Sequence, residues 1–376
     1  MTVDQDPYSD IRPYKDTEVP KVLNDLLHNE ELIGALCQYR MPKLYRWLPG
    51  ITRHIVRIGM ARQFGEIESV RDFQMMIAGY MEKMISRSTS KVSCSGVEHI
   101  DPDSAYLFIS NHRDIAMDPA FVNWMLYHQD IPTLRIAIGD NLLTKDYVSD
   151  LMRLNKSFIV RRSAKAPREM MAALTKLSSY IDYSIQDDCN IWIAQREGRA
   201  KDGNDATDPA LLKMLYMSQR KERSFAQAVK RLKIVPVSIS YQYDPCDCQK
   251  ARELAIKAQG LDYQKTQHED VESIVAGITG FKGRVHVHFG DEITDDIETP
   301  EALAQEIDRQ IRANYQLHDS NLIAAGEHDD IDSAIVQEFE ARFAQLSDAE
   351  RDIAYKMYAN PVHNQRSAQS AVAVTQ

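Results

Sequence analysis

The spacing of apolar residues changes part-way along this chain. Through residues 21–88 they recur at helical intervals, as in Ile51, Ile55 and Ile58 and again in Phe73, Met76, Ile77 and Tyr80. The segment therefore predicts helices, broken near Pro42 and at Pro49-Gly50, behind a polar, proline-containing leader over residues 1–20. Beyond residue 88, short runs rich in β-branched and aromatic residues take over: Ala105–Ser110, Leu134–Gly139, Ser157–Val160, Asn190–Ala194, Ile234–Ser240 and Arg284–Phe289. Helical stretches lie between them, near residues 119–128, 166–183, 209–231 and 268–277.

Strands alternating with helices predict an α/β domain over residues 89–295, with a mixed, mostly parallel central sheet flanked by helices. A helical N-terminal region (1–88) and a helical C-terminal extension (296–360) flank it. In the extension, Thr299-Pro300 reads as a helix cap, Ser347 to Glu350 as a capping box, and Asn360-Pro361 as the end of the last helix. Residues 361–376 are polar and are expected to be disordered.

Composition narrows the class. Hydrophobic residues at 44% and charged residues at 27% support a sizeable buried core. The five cysteines form no disulfide framework or zinc spacing, which fits a reducing compartment, and Cys246-x-Cys248 reads as two free thiols. The acidic N-terminus is no signal peptide, and no run reaches the roughly 18 apolar residues of a spanning helix. A cytoplasmic protein is expected, and the net charge of −10 excludes a general nucleic-acid binder.

The charge is also polarised. From Tyr39 to Arg62 there is no acidic residue, while Arg40, Lys43, Arg46, Arg53, Arg57 and Arg62 interleave with Tyr45, Trp47 and Leu48. From Asp291 to Lys356, eighteen acidic residues stand against five Lys or Arg. A basic, aromatic-bearing helical stretch suits peripheral contact with an anionic membrane surface, at the inner face of the membrane. A hairpin packed on the main domain with solvated arginines is compatible with the same pattern.

Candidate chemistry begins at Asn111-His112, directly after the apolar strand Tyr106–Ile109. Strand ends are where α/β proteins place reactive groups. A histidine there with a carboxylate a few residues on, Asp118 or Asp114, suits general-base catalysis. Asp118-Pro119 also reads as a plain helix cap. His112-Arg113-Asp114 mimics the catalytic loop of protein kinases, but Pro119 stands where an Asn is needed and no glycine-rich phosphate loop exists. Two further strand ends run into cations, Arg161-Arg162 and the stretch from Arg196 through Arg199 to Lys201, which suits a phosphate. His286 and His288 share one face of an alternating strand without a third ligand nearby, and read as a solvated sheet face.

These segments, with Val235-Pro236-Val237, resemble the glycerol-3-phosphate and 1-acylglycerol-3-phosphate acyltransferases, in the family's order over about residues 90–295. In detail they are most similar to the soluble, plastid type, through Asn111-His112 with Asp118-Pro119-Ala120, Ile191–Ala194 and Gly198-Arg199-x-Lys201. The resemblance implies His112 as base, supported by Asp118. It implies Arg161, Arg162, Glu197, Gly198, Arg199 and Lys201 as substrate-binding residues, with the cations on the acceptor phosphate. It implies acyl-CoA or acyl carrier protein as donor, a glycerol-phosphate-type acceptor, and neither cofactor nor metal. The sequence departs from the family by placing five residues between His112 and Asp118 where four are usual, and Arg196 where a proline is usual before Glu197-Gly198. A non-catalytic lipid-surface binder and an acyl-thioester hydrolase remain as alternatives at this point.

Overall fold

The computed structural model describes residues 6–163, 166–266 and 269–375. In chain order its helices are α1 (Val19–His28), α2 (Glu30–Arg40), α3 (Pro42–Trp47), α4 (Pro49–Phe64), α5 (Val70–Ser88), α6 (Met117–Tyr127), α7 (Asp146–Leu154) and α8 (Pro167–Gln186). They continue with α9 (Pro209–Tyr216), α10 (Phe225–Leu232), α11 (Asp247–Ala258), α12 (Glu269–Thr279), α13 (Pro300–Ala313), α14 (Asp319–Ala324), α15 (Ser333–Arg342) and α16 (Asp348–Thr375). The strands are β1 (Lys91–Ser95), β2 (Leu107–Ser110), β3 (Arg135–Gly139), β4 (Ser157–Val160), β5 (Ile191–Ala194), β6 (Ile234–Tyr241) and β7 (Arg284–Phe289). The chain forms two compact units, which cut across the boundary expected at residue 88.

The smaller unit joins Met1–Met81 to Arg135–Ala173. Its core gathers Leu23, Leu26, Ile33, Cys37, Val56, Met60, Phe73 and Leu154, and β3 pairs parallel with β4. On α4 the buried stripe is Thr52, Val56 and Met60. The other stripe, Ile51, Ile55 and Ile58, is left in solvent, along with Tyr39 at 80% and Trp47 at 75% exposure. This unit therefore presents apolar side chains that its own core does not use.

The larger unit joins Glu82–Leu134 to Leu174–Gln376. Its strands run in the order β1-β7-β6-β2-β5, all pairs parallel except β6 with β7, so the sheet is mixed and mostly parallel, as expected. Every residue of β2 and β6 is buried, which fits their unbroken apolar character, while β7 alternates. Among the described residues no helix is long and apolar enough to cross a membrane.

Three sequence expectations give way here. The helix expected over 209–231 is two, because Ser224 and Gln227 form a capping box that starts α10 afresh. His286 and His288 are half-buried in a hydrogen-bonded row, with Ser93 Oγ and Ser95 Oγ each 2.9 Å from one nitrogen of His286 and Ser95 Oγ 2.8 Å from His288 Nδ1. The last helix does not stop at Pro361, and the tail expected to be disordered continues as α16 to Thr375. Tertiary contacts override the proline: Asn360 Nδ2 donates to Asp202 O at 2.6 Å and Gln365 Nε2 to Tyr315 O at 2.6 Å. Gly203, at φ +78°, packs so closely that a Cβ there would sit 2.1 Å from Met357 O.

Lys282, in the turn before β7, is fully buried, and its Nζ donates to two neutral oxygens, Gly280 O at 2.9 Å and Ser88 Oγ at 3.2 Å. Burial pulls its pKa down to about 8 from 10.5. Between those values the unfolded chain holds a proton that the folded one has released, so this group makes stability rise with pH across that window. In Lys282→Met the contribution is absent. Urea denaturation should show the stability of the variant relative to the parent falling as pH rises from 8 to 10.5; a constant difference would contradict the assignment.

Candidate active site

The site is built in the larger unit, where β2 ends and the chain turns into α6. β2 pairs with β6 only as far as Ser110 opposite Val237. Asn111 then extends the ladder with its side chain: Oδ1 accepts from Ile239 N–H at 2.8 Å and Nδ2 donates to Ile239 O at 2.9 Å. The cationic stretch after β5 is tied to the same turn, through Gln195 N–H to Ser110 O and Ala200 N–H to His112 O, both 2.8 Å. The backbone around His112 is thus fixed from β6 on one side and from the 195–200 loop on the other.

His112 Nδ1 lies 2.9 Å from Asp118 Oδ2. The same oxygen accepts the backbone N–H groups of Arg113 (2.6 Å) and Asp114 (2.9 Å), while Oδ1 accepts the Tyr241 hydroxyl at 2.6 Å. Asp118 is wholly buried and His112 nearly so. A carboxylate surrounded by donors is an acceptor, so in the neutral ring the proton of His112 sits on Nδ1, towards Asp118, and the lone pair on Nε2. The imidazole also meets Trp192 edge-on at 5.8 Å, and the Trp192 Nε1–H is held by Ser110 Oγ at 3.0 Å.

Asp114 does different work. Its Oδ1 accepts the N–H groups of Ala116 (3.0 Å) and Met117 (2.8 Å), capping α6. Burial, and then the charge of Asp118, push its pKa up.

The residues singled out from the sequence are distributed over both units. Arg199 is half-buried; its Nη2 donates to Ser273 Oγ of α12 at 3.3 Å, and its Nη1 is buried without a partner. Lys201 pairs with Glu253, which also accepts Lys257, and burial lowers its pKa against that pairing. Glu197 and Gly198 are exposed, and Gly198 turns the loop at φ +77°, a conformation that favours glycine. In the smaller unit, Arg161 pairs with Asp10 at 2.7 Å, and the Arg162 N–H donates to Asp140 Oδ1 at 3.1 Å.

Residues 91–240 match the family model described as Acyltransferase. The matched segment runs from β1 into β6, under half of the chain, and contains His112, Asp118, Arg161, Arg162, Glu197, Gly198, Arg199 and Lys201. No curated protein matches the sequence. Among solved structures, the 1-acyl-sn-glycerophosphate (LPA) acyltransferase PlsC from Thermotoga maritima is similar over 84% of this chain and 97% of its own, at 14% identity and a TM-score of 0.36.

The groups that flank the His112–Asp118 pair from distant parts of the chain were not legible in the sequence. Arg113 is buried, pairs with Asp205 at 2.6 Å and stacks over Tyr315. Burial opposes its charge, but Asp205 outweighs it and holds the pKa above the ordinary arginine value. Lys250 Nζ donates to Arg113 O at 2.7 Å and pairs with Asp244. Only the apolar parity of β6, which puts Tyr241 on the face of Val237 and Ile239, pointed towards the tyrosine.

Helix α12 closes over this polar cluster. A Cβ on Gly277 would stand 2.1 Å from Asp114 Oδ2, and that carboxylate is pinned by two N–H groups and cannot swing away. Gly277→Ala should lower stability by roughly 1–3 kcal/mol despite alanine's better helix propensity. A denaturation midpoint equal to or above the parent's would contradict this packing.

Proposed function

We propose that the protein is an O-acyltransferase that moves a fatty acyl chain from acyl-CoA or acyl carrier protein to a hydroxyl of glycerol 3-phosphate or 1-acylglycerol 3-phosphate, a step of phospholipid synthesis. The observation that carries the reading is the His112–Asp118 pair inside the acyltransferase-family segment, with Nδ1 committed to the carboxylate and Nε2 left as a base. His112 Nε2 takes the proton of the acceptor hydroxyl as its oxygen attacks the thioester carbonyl. The tetrahedral intermediate collapses with loss of the thiolate, which recovers the proton from His112; an ester C–O bond forms and the C–S bond breaks. Asp118 stabilises the imidazolium between the two transfers.

The unpartnered Nη1 of Arg199 supports a place for the acceptor phosphate near the 195–201 loop, since a buried guanidinium N–H needs an acceptor. In this reading Lys201 exchanges Glu253 for the phosphate, and Glu197 and Gly198 shape the loop. Proximity of hydroxyl and thioester supplies the rest of the acceleration. The chemistry needs no cofactor or metal in this reading.

Thiol release from long-chain acyl-CoA, and from acyl carrier protein thioester, tests the proposal without acceptor, with glycerol 3-phosphate and with 1-acylglycerol 3-phosphate. Release should depend on one of the two acceptors and fall by about 10²–10⁴-fold in His112→Ala. Equal release without acceptor would make the protein a hydrolase, and no release under any condition would leave a lipid-binding role.

The exposed stripe of Trp47, Ile51, Ile55 and Ile58, beside the cations of residues 40–62, supports attachment to an anionic membrane surface, where the acylated product and a 1-acylglycerol 3-phosphate acceptor reside. The parent should sediment with phosphatidylserine-containing vesicles, less so as salt rises. Trp47→Ser combined with Ile51→Ser should weaken that binding about tenfold or more; unchanged sedimentation would remove this surface from the account.

A further inference from the structure

Asp118 offers two oxygens, and they are not equivalent. Oδ2 gathers His112 and the backbone N–H groups of Arg113 and Asp114 from its own turn. Oδ1 receives the Tyr241 hydroxyl at 2.6 Å, from the far end of β6. Tyr241 is buried, with its ring edge-on to Phe121 of α6 at 5.9 Å. Nothing in the acyl-transfer chemistry needs a phenol at this place, and a phenylalanine would fill the same volume. The hydroxyl is therefore a specific feature, and its one hydrogen bond goes to the carboxylate that faces the base.

We infer that Tyr241 is a positioning residue for the proposed acyl transfer: its hydroxyl fixes the rotation of the Asp118 carboxylate so that Oδ2 faces His112 Nδ1. The inference rests on the acyltransferase reading and assigns to β6 a role in that same site. The hydroxyl also draws negative charge towards Oδ1, which limits how strongly the carboxylate favours the imidazolium over the neutral base. Burial, with the neighbouring Asp118, lifts the Tyr241 pKa well above 10, so the phenol remains a donor throughout the working pH range.

The test is steady-state acyl transfer by the full chain, in Tyr241→Phe, Asp118→Asn, the double variant and His112→Ala, each followed from pH 5 to 9. In Tyr241→Phe, kcat should fall about tenfold, as expected for losing a hydrogen bond to a charged group. KM for both substrates should stay within about twofold, and the acid limb of kcat/KM should move to higher pH as the full carboxylate charge turns towards His112. In the Asp118→Asn background, adding Tyr241→Phe should change kcat by less than about twofold, because the tyrosine acts through the carboxylate. The inference is overturned if Tyr241→Phe keeps parental kcat and acid limb while His112→Ala is inactive. It is also overturned if the loss is as large in the Asp118→Asn background, which would mark general damage to the fold. Parental activity in His112→Ala would overturn the acyltransferase reading itself, and this inference with it.

Discussion

The larger unit is organised around a buried carboxylate that has to be satisfied. Asp118 has no access to water, and a carboxylate there is tolerable only when donors replace its hydration. The chain provides two N–H groups by turning sharply after His112, one imidazole N–H from His112, and one hydroxyl from β6. Each of these fixes a piece of structure. The two backbone donors set the turn into α6, the imidazole donor selects a tautomer, and the hydroxyl locks the end of β6 to the start of α6.

Further charges lie behind that centre. Arg113–Asp205 ties the turn to the loop after β5, Lys250 reaches from α11 to Arg113 O and to Asp244, Arg342–Asp247 joins α15 to α11, and Tyr358 of α16 donates to Asp247 at 2.9 Å. Buried ion pairs of this kind add little net stability compared with apolar packing, but breaking one leaves an uncompensated charge and is strongly destabilising. Their effect is to make the C-terminal helices part of the scaffold that holds the turn after β2. Gly277 and Gly203, where no Cβ fits, mark close approaches, of α12 to Asp114 and of the loop after β5 to α16.

Much of this was legible in the sequence where one local pattern sufficed. The apolar runs of β2, β5 and β6 mark central strands, and the strand-end position of His112 marks the site, because burial on both faces leaves an unbroken hydrophobic signature. β1 escaped notice because Lys91-Val92-Ser93-Cys94-Ser95 is short, polar and only half-buried. α11 escaped because its buried face includes Lys250 and Glu253, whose partners lie elsewhere in the chain. Pro361 was misleading for a related reason: the local rule ends a helix there, and packing on residues 202–204 overrules it. Tyr241 and Arg113 are legible only once the sheet order brings residues 92 and 123 positions apart into contact.

The central claim, that Asp118 holds His112 ready as a base, is open to direct observation through the nitrogen resonances of that one imidazole. Histidine-labelled 15N NMR of the resting protein, assigned by comparison with His112→Ala, reports which ring nitrogen carries the proton. The account predicts Nδ1–H as the tautomer of the neutral ring, and loss of that preference in Asp118→Asn. A resting Nε2–H tautomer, with Nδ1 bare towards Asp118, would contradict it.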